Sequence, residues 1–308
     1  MKKILVLVEK ISPKKKLFRK LISQRLGKNV QVILGKFSDI AIEIDGGSVS
    51  AFLQETNLKD FDLVYFRRID HSIFPLSGTL AMCLDKLGVK YFDTKFREIG
   101  SGGDKVTSLV KLALAGIPVP KTLFITRGNI IKNGDKIIAK LGLPIIAKDT
   151  ESQANKGIYY IKRKEDFKKL FELNKVRVGG IPIQFLFQEF IGIDQEFRLL
   201  VLGDKVAVTH TKAKRKYEDI VIGWKDMNEY PVFVNPDTVS TELKKIAVKA
   251  AKVLDIEIAG VDGCLVKGSG KAVIFEVNRG PGIDYDTKVS PEIDQISEFF
   301  KKEISNNE

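Results

Sequence analysis

Glu276 and Asn278 stand two residues apart in Ala272–Asn278, a run that reads as a β-strand. Residues two apart on a strand leave the same face, so a carboxylate and an amide carbonyl project together. Phe275 and Val277 are then expected on the other face, against a core. Asp262 lies in Ala259–Val266, the expected hairpin partner, joined through Gly268-Ser269-Gly270. Two carboxylates and an amide carbonyl are hard oxygen donors, which suit Mg²⁺ completed by phosphate oxygens and water. Taken singly, each carboxylate reads better as an ordinary strand-surface charge. Pro144-Ile145-Ile146-Ala147-Lys148 is a second such feature, an apolar strand ending in lysine. Alone, that lysine is more often a strand end that lays its stem on apolar surface and its ammonium in water.

Longer strings change the weighting. Ala259-Gly260-Val261-Asp262, paired with Phe275-Glu276-Val277-Asn278-Arg279-Gly280-Pro281-Gly282, resembles the closing strands of ATP-grasp enzymes. The nearest likeness is to RimK-type ligases, which add glutamate to a ribosomal protein. By that resemblance Asp262, Glu276 and Asn278 hold the metal ions. Lys148 binds ATP phosphates, and Lys105, near the start of its helix, is a second nucleotide lysine. Phe187-Gln188-Glu189-Phe190-Ile191 resembles the hinge strand that receives adenine. There Glu189 and Phe190 supply backbone contacts, and Phe190 or Ile191 an apolar wall. Glu196 lies where the family places an acid on the ribose hydroxyls. Glu196-Phe197-Arg198-Leu199-Leu200-Val201 resembles the family's D-x-R-x-x-V strand. That match implies a catalytic Arg198, stabilising charge on the transferring phosphoryl group and on an acyl phosphate. The strings follow the family's order over roughly residues 95–300.

Several places depart from the pattern. The lid loop Asp149–Gly157 carries Ser152 and Asn155 where glycines are common, and only Gly157 remains. Thr209-His210-Thr211-Lys212-Ala213-Lys214-Arg215 replaces a stretch in which the family often has arginines. Either Lys212 or Arg215 takes the phosphate-binding role. His210 reads as a surface imidazole, with a catalytic base as the alternative. Further upstream, Asp62–Arg68 weakly resembles a strand end of peptide-modifying ATP-grasp ligases. Arg67 and Arg68 leave such a strand on opposite faces, so at most one faces a cleft. One there would suit a substrate carboxylate; both on the surface is the other reading.

Periodicity supplies the elements that must position these groups. Lys3–Val8 reads as a buried strand, and Ser12-Pro13 opens a helix that Gly27 ends. Val30–Leu34 and Asp62–Phe66 read as strands, Asp45-Gly46-Gly47 as a hairpin turn, and Thr79–Leu87 as a helix. A helix over Asp104–Ala115, strands at Leu143–Lys148, Gly157–Lys162 and Gln184–Phe190, and a helix near Lys164–Leu173 follow. Leu199–Leu202 and Lys205–Thr209 form a hairpin, and Thr241–Leu254 and Ser290–Lys302 read as helices. The fold class is α/β and α+β: a three-lobed ATP-grasp architecture with the nucleotide cleft between the central and C-terminal lobes. The expected divisions are an amino-terminal open α/β domain at 1–95, a central lobe at 96–183 and a C-terminal lobe at 184–308.

Composition limits the function classes. The 308 residues are 44% apolar and 29% charged, as in an ordinary globular protein. No apolar run is long enough to span a bilayer, so no membrane role is expected. The only cysteines, Cys83 and Cys264, read as reduced core thiols, and the expected location is cytoplasmic. A net charge of +12 reads first as a solvated lysine-rich surface and second as attraction to an acidic partner. Interleaved aromatics of a nucleic-acid module are not seen.

The resemblance therefore implies an ATP- and Mg²⁺-dependent carbon–nitrogen ligase, with Mn²⁺ as the substitute ion. Its partners would be a carboxylate and an amine, the carboxylate being an acidic peptide or protein in one version. Two alternatives stay open. One is a small-molecule ligase of glutathione-synthetase or D-alanine-ligase type; the other is a non-catalytic nucleic-acid- or ribosome-associated protein of the same shape. Homo-oligomerisation is open as well.

Overall fold

The structure, a computed structural model, describes residues 1–45, 48–67, 74–94, 105–125, 129–150, 157–172, 185–212, 221–222 and 232–305. Strand β1 (Lys2–Val8) is buried along Ile4–Val8, as a parallel strand covered on both faces must be. Helix α1 (Pro13–Leu26) starts at Ser12, whose hydroxyl accepts from the Lys15 N–H, with Pro13 in the first turn. Gly27 ends it at φ 79°, a conformation open to glycine at little cost. Strand β2 (Val30–Lys36) leads into a meander of β3 (Ile40–Asp45), β4 (Ser48–Leu53) and β5 (Thr56–Asn57). Its register sets Asp45 opposite Ser48; the expected turn glycines, Gly46 and Gly47, lie outside the described residues. After β6 (Leu63–Phe66), α2 (Phe74–Leu87) and β7 (Tyr91–Phe92), a parallel sheet is complete in the order β2-β1-β6-β7.

Helix α3 (Lys105–Leu114) comes next, then β8 (Thr122–Ile125), α4 (Gly134–Leu141), β9 (Ile145–Asp149), β10 (Ile158–Ile161), α5 (Asp166–Glu172) and β11 (Phe185–Glu189). Strands β12 (Ile193–Leu202) and β13 (Lys205–Thr211) precede the short β14 (Val221–Ile222). An antiparallel sheet runs β14-β10-β9-β11-β8. Strand β11 lies beyond the expected division at 183/184 yet pairs with β8 and β9. The sequence reading contained neither β8 nor α4. Ile137, Ile145, Phe167, Phe185 and Phe187 form this sheet's own core under α4 and α5.

The last sheet uses β15 (Val232–Val234), then, after α6 (Thr241–Val253), β16 (Ile258–Val266) and β17 (Ala272–Arg279). Its order is β15-β13-β12-β16-β17, all antiparallel. Leu199, Val201, Val261 and Ile274 pack on α6. Helix α3 joins that side: Leu112 and Ile117 share the α6 core, although α3 lies within the expected central lobe. The opposite face carries Leu200, Leu202, Val208 and Ile258 under helix α7 (Glu292–Ser305). That core continues into Ile4, Val6, Phe18 and Ile22 of the amino-terminal unit, with Phe300 between. Ion pairs Arg25–Asp294 and Lys90–Glu303 flank the junction. Glu257 adds a clasp, accepting from the Asp93 N–H at 2.6 Å and the Thr94 hydroxyl at 2.7 Å. Among the described residues no helix is long and apolar enough to cross a membrane.

Candidate active site

One row of side chains crosses the whole last sheet. Phe233 on β15 pairs with His210 on β13, His210 with Arg198 on β12, Arg198 with Asp262 on β16, and Asp262 with Glu276 on β17. Directly paired residues share a face, so these five point the same way. Leu200 and Val208, two residues along, share that face beneath α7. The polar row thus begins where the apolar cover stops. Asn278 sits opposite Gly260, again on this face. A Cβ on Gly260 would come within 2.7 Å of Pro281 Cβ, so the glycine lets the Gly-Pro-Gly segment close over the sheet.

Arg198 and Asp262 form a two-point ion pair: Nε donates to Oδ1 at 2.7 Å and Nη2 to Oδ2 at 2.8 Å. Lys212, just past β13, donates to Asp262 Oδ2 at 2.9 Å and to Glu196 Oε1 at 2.7 Å. Asp262, Glu196 and Lys212 are all nearly sealed, at 2%, 5% and 8% exposure. Burial pushes the Asp262 carboxyl up, but Lys212 and Arg198 outweigh it and hold it well below the carboxylate range. Asp262 in turn raises the Arg198 guanidinium. Of the two candidates for the phosphate-binding role, Lys212 is thus committed to Glu196 and Asp262; Arg215 lies outside the described residues. Glu196 is engaged by Lys212 and lines neither cavity described below.

At the Glu276 end of the row, Lys148 on β9 and Lys105 on α3 line one narrow cleft with Ser108, Gln188, Phe275 and Glu276. Its void is about 40 Å³. Phe275 is not a core residue as the alternation suggested. A bulge between Asp262 and Gly263 breaks the two-residue rhythm, and Phe275 lines the cleft with its ring 6.0 Å from Lys148 Nζ. Glu189, Phe190 and Ile191 line a separate cavity of about 480 Å³, against Pro118, Val266 and Ala272. The Glu189 N–H donates to Lys121 O and its carboxylate accepts from the Lys121 N–H. That backbone donor is therefore used within the chain. In the lid, residues 151–156 lie outside the described residues, and Gly157 adopts φ 71°.

Two further expectations change. His210 is half-buried rather than a surface imidazole, its ring 5.7 Å from Phe233. Arg67 is 1% exposed, so it is not a surface residue either. Its guanidinium lies 4.3 Å over Phe18 and donates to the Tyr65 and Tyr285 hydroxyls at 3.4 Å each. Arg68 lies outside the described residues.

The donor set fits a divalent cation. No ion pair or hydrogen bond holds Glu276 among the described residues, and it faces the cleft. The Asn278 amide donates to Asp262 Oδ2 at 3.5 Å, which turns its carbonyl the other way. Asp262 Oδ1 accepts only from Arg198 Nε among the described residues, leaving that oxygen a lone pair. No group of three or more Asp, Glu, His or Cys converges among the described residues, so the asparagine is needed to complete the set.

Two lysines and a carboxylate, from three different elements, thus meet in one cleft. The family model of the RimK-like ATP-grasp domain matches residues 102–296, and the chain belongs to that family. A probable alpha-L-glutamate ligase of Mannheimia succiniciproducens is 30% identical over 207 residues. That match spans 66% of this chain and 64% of the relative. A D-alanine–D-alanine ligase of Desulforudis audaxviator is 26% identical over 67% of each chain. Among solved structures, the ATP-grasp ligase PsnB, complexed with a phosphomimetic variant of its minimal precursor, Mg and ADP, superposes with a TM-score of 0.68. It covers 98% of each chain at 15% identity, which establishes the shared fold.

Proposed function

We propose that this protein is an ATP- and Mg²⁺-dependent ligase that joins a carboxylate to an amine through an acyl phosphate. The observation that carries this reading is Glu276, at the end of the paired row Arg198–Asp262–Glu276, lining one cleft with Lys148 and Lys105. Lys105 and Lys148 bind the phosphate chain from opposite sides. When bound, Mg²⁺ neutralises phosphate charge and polarises the transferred group; Glu276, Asn278 and the open lone pair of Asp262 would hold it. Asp262 fixes the Arg198 guanidinium in one orientation, so Arg198 meets developing charge without reorganising. Phe275 walls the cleft beside Lys148. The acceptor is an amino acid and the carboxylate a peptide or protein side chain or terminus, a choice that the glutamate-ligase relative and the peptide-bound neighbour favour. ADP release measured against free amino acids, short acidic peptides and ribosomal proteins tests it. Turnover confined to D-alanine would replace it with the small-molecule reading.

Two outcomes follow at once. Lys148→Ala is expected to weaken Mg²⁺-ATP binding by about 10-fold to 100-fold in a folded protein, since it removes one desolvated charge-assisted contact. Unchanged affinity by calorimetry takes Lys148 out of the site. Arg198→Ala is expected to lower kcat by roughly 10²–10³ with little change in KM for ATP. A change confined to KM would make Arg198 a ground-state ligand.

A further inference from the structure

We propose that His210 is the general base that takes the proton from the attacking amine, an inference that rests on the ligase reading. The sheet register carries it. Glu276 and Asp262 occupy the cation end of the row, Arg198 follows, and His210 comes next on the far side of Arg198. With strands about 4.8 Å apart, His210 stands one strand from Arg198, two from Asp262 and three from Glu276. A carbonyl activated at Arg198 is therefore approached from the His210 side, away from the phosphates. Phe233 holds the ring edge-on. Nδ1 lies 3.3 Å from the Thr211 carbonyl oxygen, which suits an N–H at Nδ1 and leaves Nε2 as the basic nitrogen.

The charged groups around it favour a neutral ring. Arg198 faces it from β12, Lys212 from the end of β13, and Asp262 from β16; β15 contributes only Phe233. Burial is the largest influence and pushes the imidazole below its ordinary value; the two cations add to this, and the Thr211 carbonyl and Asp262 oppose it. A neutral imidazole at pH 7 is the form that accepts a proton. In the step itself, His210 Nε2 takes one proton from the ammonium of the incoming amino acid, the freed lone pair forms the C–N bond, and the acyl C–O bond to phosphate breaks. Phosphate leaves with that electron pair and carries off the second amine proton, while His210 passes the first to solvent.

Hydroxylamine separates this role from the rest of the reaction, because it is already unprotonated at pH 7. The probe is Mg²⁺-ATP, hydroxylamine or L-glutamate as nucleophile, and whichever carboxylate of the panel gives hydroxamate with the wild type. His210→Gln is expected to keep hydroxamate formation within about twofold while glutamate ligation falls by about 10²–10³ at pH 7. The deficit should narrow as rising pH deprotonates the amine without help. Equal loss with both nucleophiles assigns His210 a structural part and overturns the proposal. So does unimpaired glutamate ligation. A wild type that forms hydroxamate from none of the panel's carboxylates overturns the ligase reading and the base role with it.

Discussion

Glu276→Gln is expected to abolish Mg²⁺-dependent ADP release, by roughly a thousandfold, without destabilising the protein. The two halves have one cause. Glu276 has no ion pair or hydrogen bond to lose among the described residues, and it faces the cleft rather than the core. Gln keeps its shape, so the change in unfolding free energy should stay within about 0.5 kcal/mol. Beside a phosphate chain, however, a carboxylate is tolerable only with a cation between, and the neutral amide is a far poorer partner for that cation. Several kcal/mol of charge stabilisation disappear, which is about three powers of ten in rate. Normal ADP production by a folded Glu276→Gln protein would end the case for a metal on β17.

Asp262→Asn, one strand away, is expected to behave oppositely in stability. Its carboxylate is sealed and held by Arg198 and Lys212. Removing the charge leaves two cations with one buried anion, Glu196, between them. Breaking a buried pair in this way costs about 3–5 kcal/mol. The sign of the pH dependence follows from the same contacts. Lys212 and Arg198 overcome burial and depress the folded carboxyl below its unfolded value, about 3.9. Its stabilisation is therefore fully present above that unfolded value and is lost progressively as pH falls from there through the lower folded value. Urea unfolding should show wild type well above Asp262→Asn at pH 7 and the gap closing below about pH 4. A gap that stays constant into acid would mean that the pair is not the source of the difference.

Reading the sequence was most informative where structure is local. Ser12-Pro13 and Gly27 delimit α1 because capping and positive φ are decided within a few residues. Glu276 and Asn278 could be set on one face by alternation alone, since both lie on the same side of the bulge. The partnership of Asp262 with Arg198 could not, because it depends on the register between β12 and β16, sixty-odd residues apart in sequence. Phe275 was misassigned for a related reason: one unpaired residue reverses every face expectation before it. His210 and Lys212 gave a signal, as a histidine and a lysine closing an apolar strand. Their meaning came only with the cross-strand neighbours. The four-residue β8 offered too little pattern to stand out, and Gly134 at the start of α4 masked a helix.

The C-terminal helix has a mechanical consequence. Since α7 joins the amino-terminal unit and the last sheet through a common core, those two parts are expected to move as a single body. Strands β8–β11, with β14 on the edge, keep a core of their own and connect in sequence to that body through Pro118–Lys121, Phe190–Gly192 and the segments on either side of β14. A void of about 40 Å³ is far smaller than a triphosphate, so on the proposed function nucleotide entry is expected to require the walls to separate. On that reading the part expected to move is the one that carries Lys148, with Arg198, Glu276, His210 and Lys105 on the other. Each nucleotide would then arrive on an already assembled row and leave by retreat of a single lysine-bearing sheet.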